Sequence, residues 1–312
     1  MFDSSTLLLH SPTVQVTYPA TLIPSWPARR AQRKDSKFPD SHTWDTAAAQ
    51  YNDAVGRSSQ LGAIHLISLS ETLEPSLSAP GARAIDLGAG TGSLTYQLAE
   101  RYPGLPILAT DISPGMLDQL MANATANITT QVADMRAPVV GAAAEGAFSH
   151  VFSTMAIQFL PDPAANGTLA EWARLLIPDG IVAIAVWDFD QNCGPHALWA
   201  EAAAAVDPTY VNPPLVFPGH WVGLAQLEDG LKRAGFRDVK ARSQHIRFDV
   251  GKEGFMRFFW ESKNPMAVGR QASFKGDLEK VKQEMGRLLD EVYNGGRSIP
   301  LSAGLVVGRK PG

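Results

Sequence analysis

Along this chain, stretches whose apolar residues recur every three or four positions alternate with short runs that are apolar throughout, and each change of period marks a new element. Residues 1–42 carry little periodicity and several prolines, which predicts a flexible leader. Trp44, Ala48, Tyr51 and Val55 then keep helical spacing, and Leu61 to Leu73 continues as a second apolar helix. Ala84, Ile85 and Leu87 suit a strand covered on both faces, with Asp86 at its carboxyl end and Gly88, Gly90 and Gly92 directly after it. Leu94, Leu98, Ala99 and Tyr102 resume the helical period until Pro103 and Gly104 stop it. A second apolar run from Pro106 to Thr110 ends in Asp111, and Ser113 with Pro114 reads as the cap and first-turn proline of a helix bearing Met116, Leu117, Leu120 and Met121. Ile128 to Ala133 predicts a third strand, ending in Asp134. Later, Trp221 to Ala234 and Leu278 to Val292 have helical character, and Val239 to Val250 and Ile299 to Gly308 strand character.

The chemistry gathers where the first three strands end. Glycines let the backbone turn tightly and approach a ligand, so AIDLGAGTGSLT, Ala84 to Thr95, has the form of a nucleotide-holding junction. Its third glycine falls one position early for the dinucleotide fingerprint, and an ordinary glycine turn would look similar. Asp111 lies about twenty residues further on, where a carboxylate can accept both hydrogen bonds of a ribose diol. Asp134 could accept from an exocyclic amine while Met135 covers a flat ring; a solvated cap is the bland alternative for Asp134.

With these segments in series the chain resembles the class I methyltransferases that use S-adenosylmethionine (SAM). AIDLGAGTG resembles that family's glycine loop, LATDISPGML its second-strand acid and following helix, and VADM the segment that frames adenine. FSHVFSTMAIQFL resembles the fourth strand and its substrate-facing exit, and EWARLLIPDGIVAIAVW the helix, turn and fifth strand. One departure is that Phe148 is followed by Ser149 and His150, where the family often has an acid. The resemblance implies an α/β fold, a Rossmann-like, doubly wound, mostly parallel seven-stranded sheet with a late antiparallel strand near one edge. It implies a SAM site made by Asp86, Gly88, Ala89 and Gly90, by Asp111 and Ile112, and by Asp134, Met135 and Ser153. It also makes Tyr51, on the first helix, the aromatic beside the methionine end of SAM, with core packing as the alternative.

Composition narrows the rest. At 312 residues, 45% hydrophobic and 19% charged, the chain can bury a sizeable core. We read a leader over 1–42 and one methyltransferase domain over 43–312, with lid helices over 43–80 and a substrate-shaping insertion over 188–222. A formal net charge of -4 without a clustered basic stripe argues against nucleic acid as a partner. No apolar run reaches membrane-span length and no signal-like start is seen, so a cytoplasmic location is expected. Cys193 is the single cysteine, which excludes an internal disulfide and a cysteine-based metal site.

Methyl transfer from a sulfonium needs few protein groups beyond those that orient the reactants and exclude water. An alcohol or phenol acceptor gains from a general base, and His196, in the 188–222 segment, is the candidate. Gln158 after strand four and Trp187 at the end of strand five are the candidate substrate wall, and FMRFFW, Phe255 to Trp260, could add to it or belong to the core. Asp188 and Asp190 form a D-x-D, yet the strand-four exit lacks the carboxylate that a metal site would need, so no metal is expected. The expected activity is methylation of a small organic acceptor, at oxygen, of the kind found in secondary metabolism, with S-adenosylhomocysteine (SAH) as product. The alternatives are a SAM-binding protein that catalyses a cyclisation or rearrangement, or one that regulates without transfer. An NAD-dependent oxidoreductase fits the glycine turn but not the early third glycine.

Overall fold

Apolar runs that are covered on both faces must send alternate side chains into two separate cores, and the strands do so. In the computed structural model, which describes residues 41–42, 44–45, 55–138, 145–160, 167–189, 193–213, 221, 223–262, 264–297 and 299–310, the strands are β1 (Ala84–Leu87), β2 (Ile107–Asp111), β3 (Ile128–Val132), β4 (Phe148–Thr154), β5 (Leu176–Trp187), β6 (Arg237–Phe248) and β7 (Ile299–Arg309). They form one sheet of order β3-β2-β1-β4-β5-β7-β6. The pairs among β1 to β5 are parallel, while β7 runs antiparallel to both β5 and β6. This is the Rossmann-like, mostly parallel arrangement with a late antiparallel strand near one edge. In β5, Ala183, Ala185 and Trp187 enter one core while Val182, Ile184 and Val186 enter the other. Helices then cover both faces, as a doubly wound sheet requires.

Helices α1 (Arg57–Ser70), α2 (Ser93–Arg101) and α3 (Pro114–Met121) accompany the first half of the sheet. The second half carries α4 (Thr168–Leu175), α5 (Gly194–Val206), α6 (Leu224–Arg233), α7 (Gly251–Trp260), α8 (Pro265–Ser273) and α9 (Leu278–Glu291). Ser113 caps α3 as its sequence position predicts, its hydroxyl accepting from the Met116 N–H at 3.1 Å. The absence of an acid after Phe148 is met by Ser149, whose hydroxyl accepts from the Arg83 N–H at 3.0 Å and donates to the Arg83 carbonyl at 2.9 Å.

Three features depart from the sequence expectations. The turn Pro178-Asp179-Gly180 lies inside β5, which starts at Leu176 and takes up the extra residues as a register shift opposite Phe148 and His150. Asp179 adopts φ +62° there. Within the 188–222 insertion, α5 is a regular helix, as is α8 further on. α1 is no lid: Ala63, Leu66 and Ile67 are buried in the core against the sheet. Lifting it would expose that whole apolar face, at roughly 1.5 to 3 kcal/mol for each large side chain. No helix among the described residues is long and apolar enough to cross a membrane.

Candidate functional site

The carboxyl ends of β1, β2 and β4, with the loop after β3, border a cavity of about 1110 Å³, open solvent included. Such ends are where open α/β sheets place ligands, because the strand order reverses between β1 and β4. The Gly88 and Ala89 N–H groups donate to the Thr110 carbonyl at 2.8 and 2.9 Å, which folds the glycine loop against the end of β2. The Gly90 N–H donates to Asp111 Oδ2 at 2.8 Å and the Ser113 N–H to Asp111 Oδ1 at 2.9 Å. Main-chain donors thus aim both carboxylate oxygens, and each oxygen keeps a lone pair for a ligand hydroxyl.

Glycine is required at two of these positions. Gly88 and Gly90 have φ +74° and +55°. A Cβ at Gly88 would stand 2.3 Å from Met135 Cε and 2.6 Å from Ala156 Cβ, whereas one at Gly90 would meet nothing within 4 Å. The open space beside Gly90 is a cradle for a ligand.

Asp86 faces the same cavity at 1% exposure. Its Oδ2 accepts from the Thr95 hydroxyl at 2.7 Å, while Oδ1 is buried with no partner. Burial pushes this carboxyl up to about 7, against the Thr95 hydrogen bond and with a smaller upward push from Asp111. Burial also raises Asp111, opposed by its main-chain donors. An orphaned carboxylate oxygen suits an ammonium, and two aimed oxygens suit a ribose diol. Two carboxylates in this cavity, Asp86 and Asp111, have no ion-pair partner among the described residues and suit a ligand that carries positive charge, whereas Asp134 is paired with Arg136. The residues therefore fit SAM.

Ile112, 38% exposed, and Met135 belong to the cavity wall, and the Met135 carbonyl is fixed by the Trp172 indole N–H at 2.7 Å. Asp134 lies there too, but Arg136 holds both of its oxygens, with Nε at 3.0 and 2.9 Å and Nη2 at 2.5 Å. An exocyclic amine would have to share this carboxylate. Ser153 is fully buried behind the wall, its hydroxyl donating to the Leu87 carbonyl at 2.8 Å, so it ties β4 to β1 instead of lining the cavity. The positions that line it are the next ones, Thr154, Met155 and Ala156. Met155 has φ +55°, the kind of turn that collects at ligand clamps. Tyr51 lies outside the described residues. Trp44, two turns earlier in the same predicted helix, does line the cavity, and its ring meets Phe159 edge to face at 5.0 Å.

A second cavity, about 800 Å³ with open solvent included, adjoins the first: Trp44, Met155 and Phe159 line both. Its other walls are largely apolar, including Trp187, Phe248, Phe258, Phe259 and Leu301. The FMRFFW segment divides between roles, since Phe255 is fully buried in the core while Phe258 and Phe259 reach this wall. Gln158 reaches neither cavity. It is fully buried, and its Oε1 accepts from the Trp187 N–H at 3.0 Å, so it positions Trp187 from behind.

His196 lines the second cavity, with Arg270 beside it. Arg270 Nη2 donates to His196 Nδ1 at 3.2 Å. Because arginine can only donate, the imidazole proton sits on Nε2. Burial, and then the neighbouring guanidinium, hold this ring down at about 3, so it is neutral and offers a donor at Nε2. Cys193, at the same wall, is pushed up to about 12 by burial and is no nucleophile at neutral pH. Sequence reasoning passed over Arg270 because a single arginine in an amphipathic helix looks like a solvated one; only packing shows it to be 6% exposed.

Residues 84–180 match the model of a methyltransferase domain. The chain is similar to a malonyl-[acyl-carrier protein] O-methyltransferase of Hahella chejuensis, 37% identical over 45% of this chain and 46% of that protein. It is also similar to one of Geobacter sulfurreducens, 27% identical over 73% and 82%. A nocamycin O-methyltransferase of Saccharothrix syringae is 27% identical over 64% of this chain and 77% of its own. The match thus spans about half the length of the first of these relatives and more of the other two.

Proposed function

Because the chain belongs to the class I SAM-dependent methyltransferases through the domain at 84–180, we propose that it transfers the methyl group of SAM to an oxygen of a small organic acceptor seated in the second cavity. The observation that carries this reading is the pair of adjoining cavities. One presents carboxylates and a glycine cradle, the other presents aromatic walls, and Trp44, Met155 and Phe159 are common to both. The O-methyltransferase names of the relatives support oxygen as the acceptor atom. The aromatic wall supports an acceptor with a substantial apolar body, of the secondary-metabolite kind.

When bound, SAM supplies a methyl group on a sulfonium that leaves as a neutral thioether. The residues of the chain do the rest. Asp111 orients the ribose, Asp86 receives the amino group, and Ile112 and Met135 cover the adenine. Trp44, Met155 and Phe159 shut water from the junction of the cavities. Orientation of this kind is worth roughly 7 to 11 kcal/mol. We assign Trp187 to the acceptor wall, with Gln158 positioning it, and we assign His196 a donor's role in place of a base's.

Incubation with SAM and a panel of metabolites tests this. One SAH per methylated product is the expected result. A product formed without SAH would establish a rearrangement, and SAM binding with no turnover on any acceptor would point to regulation.

A further inference from the structure

We propose that the acceptor carries a carboxylate, received in the second cavity by the guanidinium of Arg270 and the Nε2–H of His196; this rests on the reading of that cavity as the acceptor site. Arg270 is buried, and no carboxylate lies within ion-pair distance of it among the described residues. Its Nη1 donates to Asn212 Oδ1 at 2.8 Å and to the Pro213 carbonyl, and its Nη2 to His196 Nδ1. All three partners are neutral.

A guanidinium has five N–H groups. Three of them meet these acceptors and the guanidinium also bears on the Tyr210 hydroxyl, so every partner is neutral and no carboxylate takes the remaining N–H among the described residues; His196 Nε2 is buried without a partner. Arginine keeps its charge even when buried, so among the described residues the cavity holds a cation with no anionic partner, and the His196 donor beside it, at one end of an apolar chamber. Leaving a buried charge unpaired is costly, and a fork of N–H groups matches a carboxylate. The neighbouring Asp86, Asp111 and Asp134 line only the first cavity, so an anion entering the second keeps Arg270 as its counter-ion.

Arg270 and His196 line only the second cavity, whereas Trp44, Met155 and Phe159 line both. The carboxylate is thus the anchor, and another oxygen of the same molecule reaches the shared wall. The substrate class is a small acid with an apolar body and a second oxygen function.

The test is calorimetric titration of the full chain, with and without SAH, using 4-hydroxycinnamate, 4-hydroxyphenylacetate and 3-hydroxydecanoate, each against its primary amide. At least one acid should bind tenfold or more tighter than its amide. Arg270→Gln should remove that preference while SAH affinity stays within twofold. Should Arg270→Gln not fold, Arg270→Lys keeps the charge without the fork, and the acid preference should shrink but persist. Equal binding of acid and amide across the panel, binding of none of the acids, or a preference that survives Arg270→Gln overturns the proposal. An intact acid preference in a protein that fails to bind SAH supports the anion site while the methyl-transfer reading falls, so the two failures are distinguishable.

Discussion

At the scale of single residues, Asp86 has the clearest consequence. Its folded-state value of about 7 stands above the ordinary 3.8, so between these two pH values the folded chain binds more protons than the unfolded one. Stability without ligand therefore falls as pH rises from about 4 to about 7 and levels off above. Asp86→Asn removes this contribution, and the drop in thermal midpoint between pH 5 and pH 8 should be smaller in the variant than in the parent. SAM affinity should move the other way: it rises through pH 7 as Asp86 ionises, and is weaker and flat in Asp86→Asn. Asp111→Ala should weaken SAH binding by about 1.5 to 3 kcal/mol for each charge-assisted bond lost, read by titration. Unchanged affinity would show that the ribose is held elsewhere.

Among the elements, the turn from β1 to α2 and the start of α3 respond differently to small changes. Gly88→Ala puts a Cβ into Met135 and Ala156 at a left-handed backbone position, and overpacking with strain costs about 1 to 3 kcal/mol each. Its thermal midpoint should fall clearly. Gly90→Ala meets no atom, so it should lose about 1 kcal/mol from φ alone while SAH binding suffers more, because the new methyl occupies the cradle. Ser113→Ala removes the α3 cap and the hydroxyl that donates to Asp45 Oδ1 at 2.5 Å. A loss of about 1 kcal/mol is expected from the cap, measured by denaturant unfolding.

Taken whole, the molecule should behave as one scaffold whose stability reports on the first cavity. Saturation with SAH at one hundred times its Kd should add about 2.7 kcal/mol, a rise of about 4 °C in thermal midpoint for a chain of this size. NAD at the same concentration should give no rise. Arg270→Gln should keep the SAH-induced rise, since Arg270 lines only the second cavity.

The sequence by itself determined the sheet and the strand-end segments that border the first cavity, for a local reason. Strand, glycine turn and acid follow one another within a few residues, as in Ala84 to Gly92 and Pro106 to Asp111, so hydrophobic period and turn chemistry reveal them together. α5 escaped because Leu198 to Val206 is apolar and alanine-rich on all sides and leaves no period to read. Ser153 and Gln158 have the right residue type near the right strand ends, yet only packing decides that they face inward and bond to Leu87 and Trp187. The second cavity was tertiary throughout. Trp44, Phe159, His196, Phe258 and Arg270 come from distant elements, and the tautomer of His196 depends on a guanidinium 74 residues away. Periodicity reports which face of an element is buried; it carries no record of which other element lies against that face.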